Sequence, residues 1–444
     1  TGRTNFKSQQ LNIDCLVKSP DISIFSPLLN TPGIQGSLYG KISLNGALSN
    51  PGINGELSAD QIGIPEIFFD KTKLKFGLMN IAKNRAGSLV MQAKNGQTTY
   101  IDVPFPLLNL DMTFEDDTSN IKMLEVVGDI FALNLKGKII NFEDFLINEL
   151  RGNLKSNQFR NISPLRISVV EKNINVHQSE IAINDSRLIF AGTLNENTLT
   201  KATAEIINFD LASANDFLPK KHQINGLISG VFNYNTRQDS QDIDLKITGR
   251  DLIYRRDHFK RIVCDLSLIN DKILIPELSL TDSTNGFVNA SGYFTCNFPT
   301  GEHESFVDST SEIDMHVDFN NFDLSILNTY VLYNTKLAGK MLGDFNFTKT
   351  INQPDIAASF FIIKPVFDKI EANTLRVSAD IQNSVINLSN IYLTDDAGSY
   401  YGEGTLPADI ALLDGKFILD EAGQINMDLY SEIESLPALP LYVE

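Results

Sequence analysis

The chain has 444 residues, a formal net charge of −18 and a hydrophobic content of 42%. A single hydrophobic core stops growing at about 250–300 residues, so we expect several domains or an array of repeats. The acidic charge makes nucleic acid a poor partner, because that affinity comes largely from Lys and Arg. The sequence also lacks the uninterrupted run of about 18 apolar residues that a membrane-spanning helix requires.

The first strong pattern lies at residues 34–44, where apolar residues and glycines alternate with polar residues. Alternation with a period of two predicts a β-strand with one apolar and one polar face. The apolar face of this strand carries Ile34, Leu38, Ile42 and Leu44, together with Gly36 and Gly40.

The same pattern returns twice, each time with two glycines four residues apart on the apolar face. Glycine within a strand marks sharp curvature or close approach of another backbone. The second and third copies have the apolar residues Ile224, Ile228, Phe232, Tyr234, Leu337, Met341, Phe345 and Phe347, and the glycines Gly226, Gly230, Gly339 and Gly343. A strand between them alternates equally clearly and places Met315 and Val317 on its apolar face.

Each glycine strand follows a short segment with helical spacing that begins at an aspartate: Asp21, Asp210 or Asp323. Aspartate just ahead of an apolar i, i+3, i+4 set favours a helix N-terminus. Hairpin turns are predicted at Pro51, at Pro354 and at the equivalent Gln241. Tight aspartate turns are predicted to close the repeats at Asp185, Asp282 and Asp395.

These copies predict one continuous repeat sheet rather than independent domains. We expect a first segment over residues 1–205 that includes a degenerate repeat, a second repeat over 206–318 and a third over 319–444. The chain starts at Thr1 without Met, and alternation continues at Ile425 up to Leu436 and Pro437. We therefore expect it to be part of a longer protein.

A sheet with one apolar face must cover that face. Two sheets packed face to face, filled by their own side chains, are one solution. A sheet curled into a U with an apolar channel for a ligand is the other. Sparse helical patterning and glycines on the apolar face favour the second, and periodicity alone leaves both open.

Four motifs together resemble the AsmA-like superfamily, and within it the TamB family of translocation and assembly modules. They are the helical motif D-L-x-x-x-N-x-F/Y, the strand with G-x-x-x-G, the turn N-P-x-I, and G-x-G-x-L-P at residues 402–407. The resemblance implies an all-β, U-shaped repeat sheet, called a β-taco, with an apolar inner groove and a few short helices. This chain would be an internal segment of that groove.

The resemblance also implies a function. The protein would be periplasmic, anchored in the inner membrane by an N-terminal helix outside this segment, and would meet an outer-membrane barrel-assembly protein through regions also outside it. Its partners would be phospholipids, carried between the membranes in support of outer-membrane biogenesis. Two alternatives stay open: an assembly factor that docks outer-membrane β-barrel proteins by a strand edge, and a self-packed β-solenoid or adhesin-like binding module.

We expect no enzyme activity, cofactor or metal site. The five histidines are scattered, and the chain has no G-x-S-x-G, no P-loop and no G-x-G-x-x-G. The cysteines Cys15, Cys264 and Cys296 are far apart; Cys264 and Cys296 could pair, or all three could be small buried residues. One basic cluster, residues 255–261, could contact phosphate headgroups or a partner, or be a solvated hairpin tip.

Overall fold

The computed structural model describes residues 2–5, 9–29, 32–79, 86–98, 104–196, 198–237, 240–269, 271–296, 307–329, 336–411, 416–419 and 424–433. Nearly all of these residues are in β-strands, and the helices are short, so the predicted all-β class is confirmed. The chain divides into two compact units, Thr1–Ala204 and Glu205–Glu444. The repeat boundaries after residues 205 and 318 stay a prediction.

The first unit is an antiparallel meander in which successive strands pair. Strand β10 pairs with both β11 and β12, and β13 pairs with both of these in turn. The strands are β1 (Gly2–Asn5), β2 (Gln10–Ser19), β3 (Gln35–Ala47), β4 (Asn50–Ile64), β5 (Ile67–Met79), β6 (Ala86–Thr98), β7 (Phe105–Glu115), β8 (Thr118–Val127), β9 (Phe131–Ile140), β10 (Asp144–Leu154), β11 (Asn157–Asn161), β12 (Leu165–Val170), β13 (Asn173–Ile183) and β14 (Ser186–Asn195).

The second unit is also an antiparallel meander, with two short strands, β24 and β28, beside the main ladder. The boundary between the units falls within β15 (Thr198–Asp210). The remaining strands are β16 (Ile224–Arg237), β17 (Ser240–Tyr254), β18 (Asp257–Ile269), β19 (Lys272–Asp282), β20 (Phe287–Thr295), β21 (Ile313–Asp323), β22 (Leu337–Lys349), β23 (Pro354–Phe367), β24 (Ile370–Glu371), β25 (Thr374–Gln382), β26 (Val385–Thr394), β27 (Gly398–Ala411), β28 (Lys416–Leu419) and β29 (Asn426–Ile433).

Three short helical segments, which we call lead helices, precede the glycine strands β3, β16 and β22. They span Ser23–Phe25 with Ser26–Leu29, then Leu211–Ala214, and then Leu324–Thr329; a further turn, Lys220–His222, follows the second lead helix. The predicted aspartates stand ahead of all three. Oδ1 of Asp21, Asp210 and Asp323 accepts a backbone N–H two residues later at 2.8, 2.9 and 3.0 Å.

The second and third lead helices are tied to the strand that follows by an asparagine. Asn215 accepts from Ile224 N and donates to Ile224 O, both at 2.9 Å. Asn328 makes the same pair of bonds with Leu337, both at 2.7 Å. The side-chain amide replaces a neighbouring strand at this point, which is a physical reason for the N in the D-L-x-x-x-N motif.

The first glycine of each copy forms a β-bulge. The ladder changes register at Gly36, Gly226 and Gly339, whose φ angles are +118°, +120° and +121°. The residues 25 positions later, Gln61, Asp251 and Lys364, adopt φ of +51°, +51° and +50°. A Cβ on Gly36 would lie 2.6 Å from Gln61 O, and one on Gly226 would lie 2.8 Å from Asp251 O. The two backbones therefore touch where glycine is required.

We expect Gly36→Ala to lower the free energy of unfolding of the first unit by about 2–3 kcal/mol, because it adds a backbone clash to a left-handed φ. Gln61→Gly should raise it by up to about 1 kcal/mol, since it relieves the left-handed φ of the facing residue. Urea unfolding measures both changes. The control is Gly192→Ala, because Gly192 has no positive φ and a Cβ added there would lie 3.2 Å from the nearest atom. An equal loss of stability in this control would contradict the bulge explanation.

Several details differ from the sequence predictions. Pro51 pairs with Gly46 and Pro354 with Lys349, so both prolines stand at the start of a strand rather than at the hairpin tip. Proline is accepted there because its missing N–H leaves no gap in the middle of a ladder. The three cysteines are free, and Cys15 is exposed rather than buried. Leu436 and Pro437 lie outside the described residues.

Candidate functional site

In the second unit, apolar side chains form continuous rows across the strands. Directly paired residues of an antiparallel ladder point to the same face, so the strand register gives each row. One row crosses twelve strands: Gly230, Ile247, Cys264, Leu278, Ala290, Val317, Phe345, Ala358, Ala379, Leu388, Gly404 and Met427. The next row on this face crosses the same strands: Ile228, Gly249, Ile262, Leu280, Val288, Phe319, Gly343, Phe360, Val377, Ile391, Gly402 and Leu429.

The first unit has rows of the same kind, and they pass through the region predicted to be degenerate. One row crosses ten strands: Cys15, Ile42, Gly55, Phe76, Leu89, Met112, Ile121, Gly137, Ile147 and Leu165. Another contains Val17, Gly40, Leu57, Leu74, Met91, Leu110, Leu124, Leu135 and Leu150. We call the side of each unit that carries these rows its apolar face.

The opposite side of each unit is its polar face. Between the two apolar rows of the second unit the register places, on the polar face, Ser229, Thr248, Val263, Ser279, Asn289, Asp318, Asp344, Ser359, Ser378 and Asn390. Cross-strand bonds connect this face: Lys246 to Asp265 at 2.8 Å in the second unit, and Asn109 to Glu125 at 2.7 Å in the first. The two faces of the sheet therefore differ in the ligands that they can accept.

The side chains of the apolar face are mostly half-buried. Ile228, Val317 and Phe345 are neither buried nor exposed, whereas Val231 on the polar face is exposed. In a filled sandwich, alternate side chains of both sheets would be buried against each other. Among the described residues, buried apolar side chains are instead scattered along both units. Three of them, Leu324, Met341 and Ile362, pack together as a cluster.

That cluster shows where the chain covers its own apolar face. Leu324 and Leu327 of the third lead helix pack with Met341 of β22 and Ile362 of β23. Met341 is accordingly 6% exposed and lies beneath this helix. Beside Met341 lies an aromatic group, in which the rings of Phe345 and Phe360 are stacked with their centroids 5.6 Å apart.

The other predicted groove residues lie on the half-buried face of their strands. The structure joins four of them directly, because Met315 pairs with Phe347 and Val317 with Phe345. The rest lie on three strands that do not pair with one another: Ile34, Leu38, Ile42 and Leu44 near or within β3, Ile224, Ile228, Phe232 and Tyr234 in β16, and Leu337 in β22. Gly40, Gly230 and Gly343 stand in the rows themselves, and Gly230 is the one of the six predicted glycines without a positive φ.

Sequence reasoning missed most of the rows of strands β4 to β10. Phe76, Leu89 and Met112 are typical: they alternate correctly, but no glycine pair or preceding helix marks their strands. Alternation in each strand was a usable signal. The pairing of the strands and their register could not be predicted from the sequence, so the rows could not be predicted either.

A buried carboxylate fixes the third lead helix. Asp282 is fully buried; its Oδ1 accepts from Thr284 N at 2.7 Å and Gly286 N at 2.8 Å, and its Oδ2 from Asp323 N at 3.0 Å. Burial raises the pKa of Asp282, but these bonds and that from the Thr284 hydroxyl outweigh it and hold the pKa below its ordinary value. Lys340 Nζ lies 3.7 Å from Asp282 and 3.1 Å from Asp323.

Within the described ranges, no group of three or more His, Cys, Asp or Glu side chains is placed to hold a metal ion. The helices in the part of the chain that the structure describes are all too short and polar to cross a bilayer.

Comparison with known families gives one match. Residues 3–360 of the 444 match the family model described as TamB, N-terminal domain. No curated protein matches the chain.

Proposed function

The chain belongs to the TamB family, as its motifs predicted, and we propose that its apolar face carries phospholipid acyl chains between the inner and outer membranes of a cell envelope. In this proposal the chain is an internal, periplasmic segment of a longer membrane-anchored protein. The family is one of transport and assembly modules, and catalysis has no role in the proposal.

The observation that carries the proposal is the set of apolar rows, each nine to twelve strands long and mostly half-buried in the described residues. Removing a methylene from water gains about 0.8 kcal/mol, so a fatty acyl chain is strongly attracted to such a surface. A charged headgroup is costly to bury and stays in water. A face that is open on one side satisfies both requirements.

The rows also suit movement. Leu, Ile, Val and Phe repeat along them with no charged residue in line, so neighbouring positions have similar affinity for a methylene. A lipid tail then slides without a single deep site to trap it. In the second unit the third lead helix covers the apolar face at Met341.

Photo-crosslinking tests the proposal. Benzoylphenylalanine at Ile228 or Phe345, on the apolar face, should capture phospholipid when the protein is produced in cells. The same residue at Tyr39 or Val231, on the polar face, should not, although these two positions are the more exposed. Equal capture from both faces would overturn the proposal.

The alternative function, docking of barrel proteins at a strand edge, predicts binding that does not depend on the apolar side chains. Pairing through backbone N–H and C=O groups would survive changes on the apolar face, because side chains there do not enter the ladder. An unfolded barrel protein that bound equally well before and after Ile228→Asp, together with lipid capture that did not depend on the face, would favour it.

A further inference from the structure

One end of the second unit is basic in an otherwise acidic chain. The hairpin between β17 and β18 carries Arg255 and Arg256 at its tip, and Lys220 and Lys221 follow the second lead helix. All four side chains are exposed. We call these four residues the basic tip.

The structure brings the basic tip together from separate segments. His222 Nδ1 lies 3.1 Å from the hydroxyl of Tyr254, which joins the two lysines to the hairpin. Arg255 Nη1 donates to Thr329 O at 3.1 Å, which joins the hairpin to the third lead helix. Exposed apolar side chains accompany the charges: Phe217, Leu218 and Ile253.

The basic tip borders the apolar face. Thr329 ends the same helix whose Leu324 packs on Met341, so Arg255 contacts the element that covers this face. Ile224, at the start of an apolar-face strand, pairs with Tyr254 at the hairpin. The cations therefore stand where the end of the apolar face meets water.

The other repeats provide an internal comparison. The hairpins that occupy the same place after the other two bulges have the tips Ile64-Pro65-Glu66-Ile67 and Phe367-Asp368-Lys369-Ile370. Neither carries an arginine pair, so the hairpin forms without one. The turn itself therefore does not require Arg255 and Arg256.

We propose that the basic tip binds the phosphate headgroup of anionic phospholipids whose acyl chains lie on the apolar face of the second unit. The inference rests on the proposed function and adds a preference among lipids. Arginine matches phosphate oxygens with paired, charge-assisted hydrogen bonds. Each Lys or Arg near an anionic lipid surface contributes about 1 kcal/mol, so a double charge reversal should change the preference about tenfold or more.

The test uses the full chain incubated with equal amounts of phosphatidylglycerol and phosphatidylethanolamine in detergent, re-isolated, and analysed for bound lipid by mass spectrometry. The wild-type chain should retain phosphatidylglycerol in excess. R255E/R256E should reduce that ratio about tenfold and leave the total bound lipid nearly unchanged. R255K/R256K should keep most of the preference, because the charge is retained.

The matched control is K73E/K75E, which makes the same charge change on the polar face of β5. An equal shift in this control would overturn the inference, because net charge alone would then explain it. Retained lipid with the same ratio in wild type and R255E/R256E would also overturn it and leave the proposed function standing. Failure to retain any lipid would overturn both. Displacement of the lipid by glycerol phosphate alone would assign the site to soluble phosphates and contradict a lipid site.

Discussion

Asp282→Asn will destabilise the second unit by about 3–4 kcal/mol in urea unfolding. Asp282 is fully buried, and its two oxygens accept three backbone N–H groups and the Thr284 hydroxyl. An amide of the same size turns an NH₂ group towards some of these donors and leaves Lys340 without its buried partner. Breaking a buried, hydrogen-bonded charge in this way typically costs about 3–5 kcal/mol.

The matched control is Asp395→Asn, at the equivalent aspartate turn of the last repeat. Asp395 accepts from Ala397 N at 2.8 Å and Gly398 N at 3.1 Å, but it is half-buried rather than fully buried. We expect a loss of about 1 kcal/mol there. Equal losses at the two positions would show that the turn, rather than the buried charge, carries the effect.

The effect of Asp282 should depend on pH in one direction. Its pKa is held below the ordinary value of 3.8, so the folded state favours the carboxylate. The stabilisation is therefore complete above the unfolded pKa and is lost as the pH falls through the lower folded pKa. The difference between wild type and Asp282→Asn should be constant above about pH 5 and shrink below 3.8. A difference that grew in acid would contradict the assignment.

The second large effect concerns lipid. Ile228→Asp should reduce the amount of phospholipid recovered as a crosslink to benzoylphenylalanine at the neighbouring Phe232 by about two orders of magnitude. A carboxylate there keeps its hydration and displaces the tail from about four methylenes, which is worth about 3 kcal/mol. Ile228 is half-buried, and Asp is smaller than Ile, so the introduced side chain fits and the strand should still form.

Val231→Asp is the control, because it places the same residue three positions along β16 on the polar face, opposite Lys246. Lipid recovery should be unchanged. Thermal unfolding should be similar for the two variants, which separates lost binding from lost structure. Lipid recovery that fell equally in both variants would contradict a one-sided path. Met341 is unsuitable for this test, since it is buried beneath the third lead helix.

Most of the strands could be predicted from the sequence, because apolar and polar residues alternate within each strand. In β16, Ile228 and Phe232 lie on the half-buried side while Leu227 and Val231 are exposed. The aspartates of the lead helices and the bulge glycines were readable for a similar reason, since each serves a local backbone need. The residues that face the bulges, Gln61, Asp251 and Lys364, could not be predicted. Their left-handed φ is imposed by the facing strand, and the three positions carry three different residue types.

The sequence by itself determined the class of fold, the alternation of every glycine strand and the family, since these follow from local spacing. Only the tertiary structure decided how the strands align, and with it the rows that cross the strands. Register depends on pairing between residues far apart in the chain, and a shift of one residue would move every side chain to the other face. Long-range packing also decided which predicted groove residues are buried: a lead helix covers Met341, whereas Ile228 and Phe345 are half-buried.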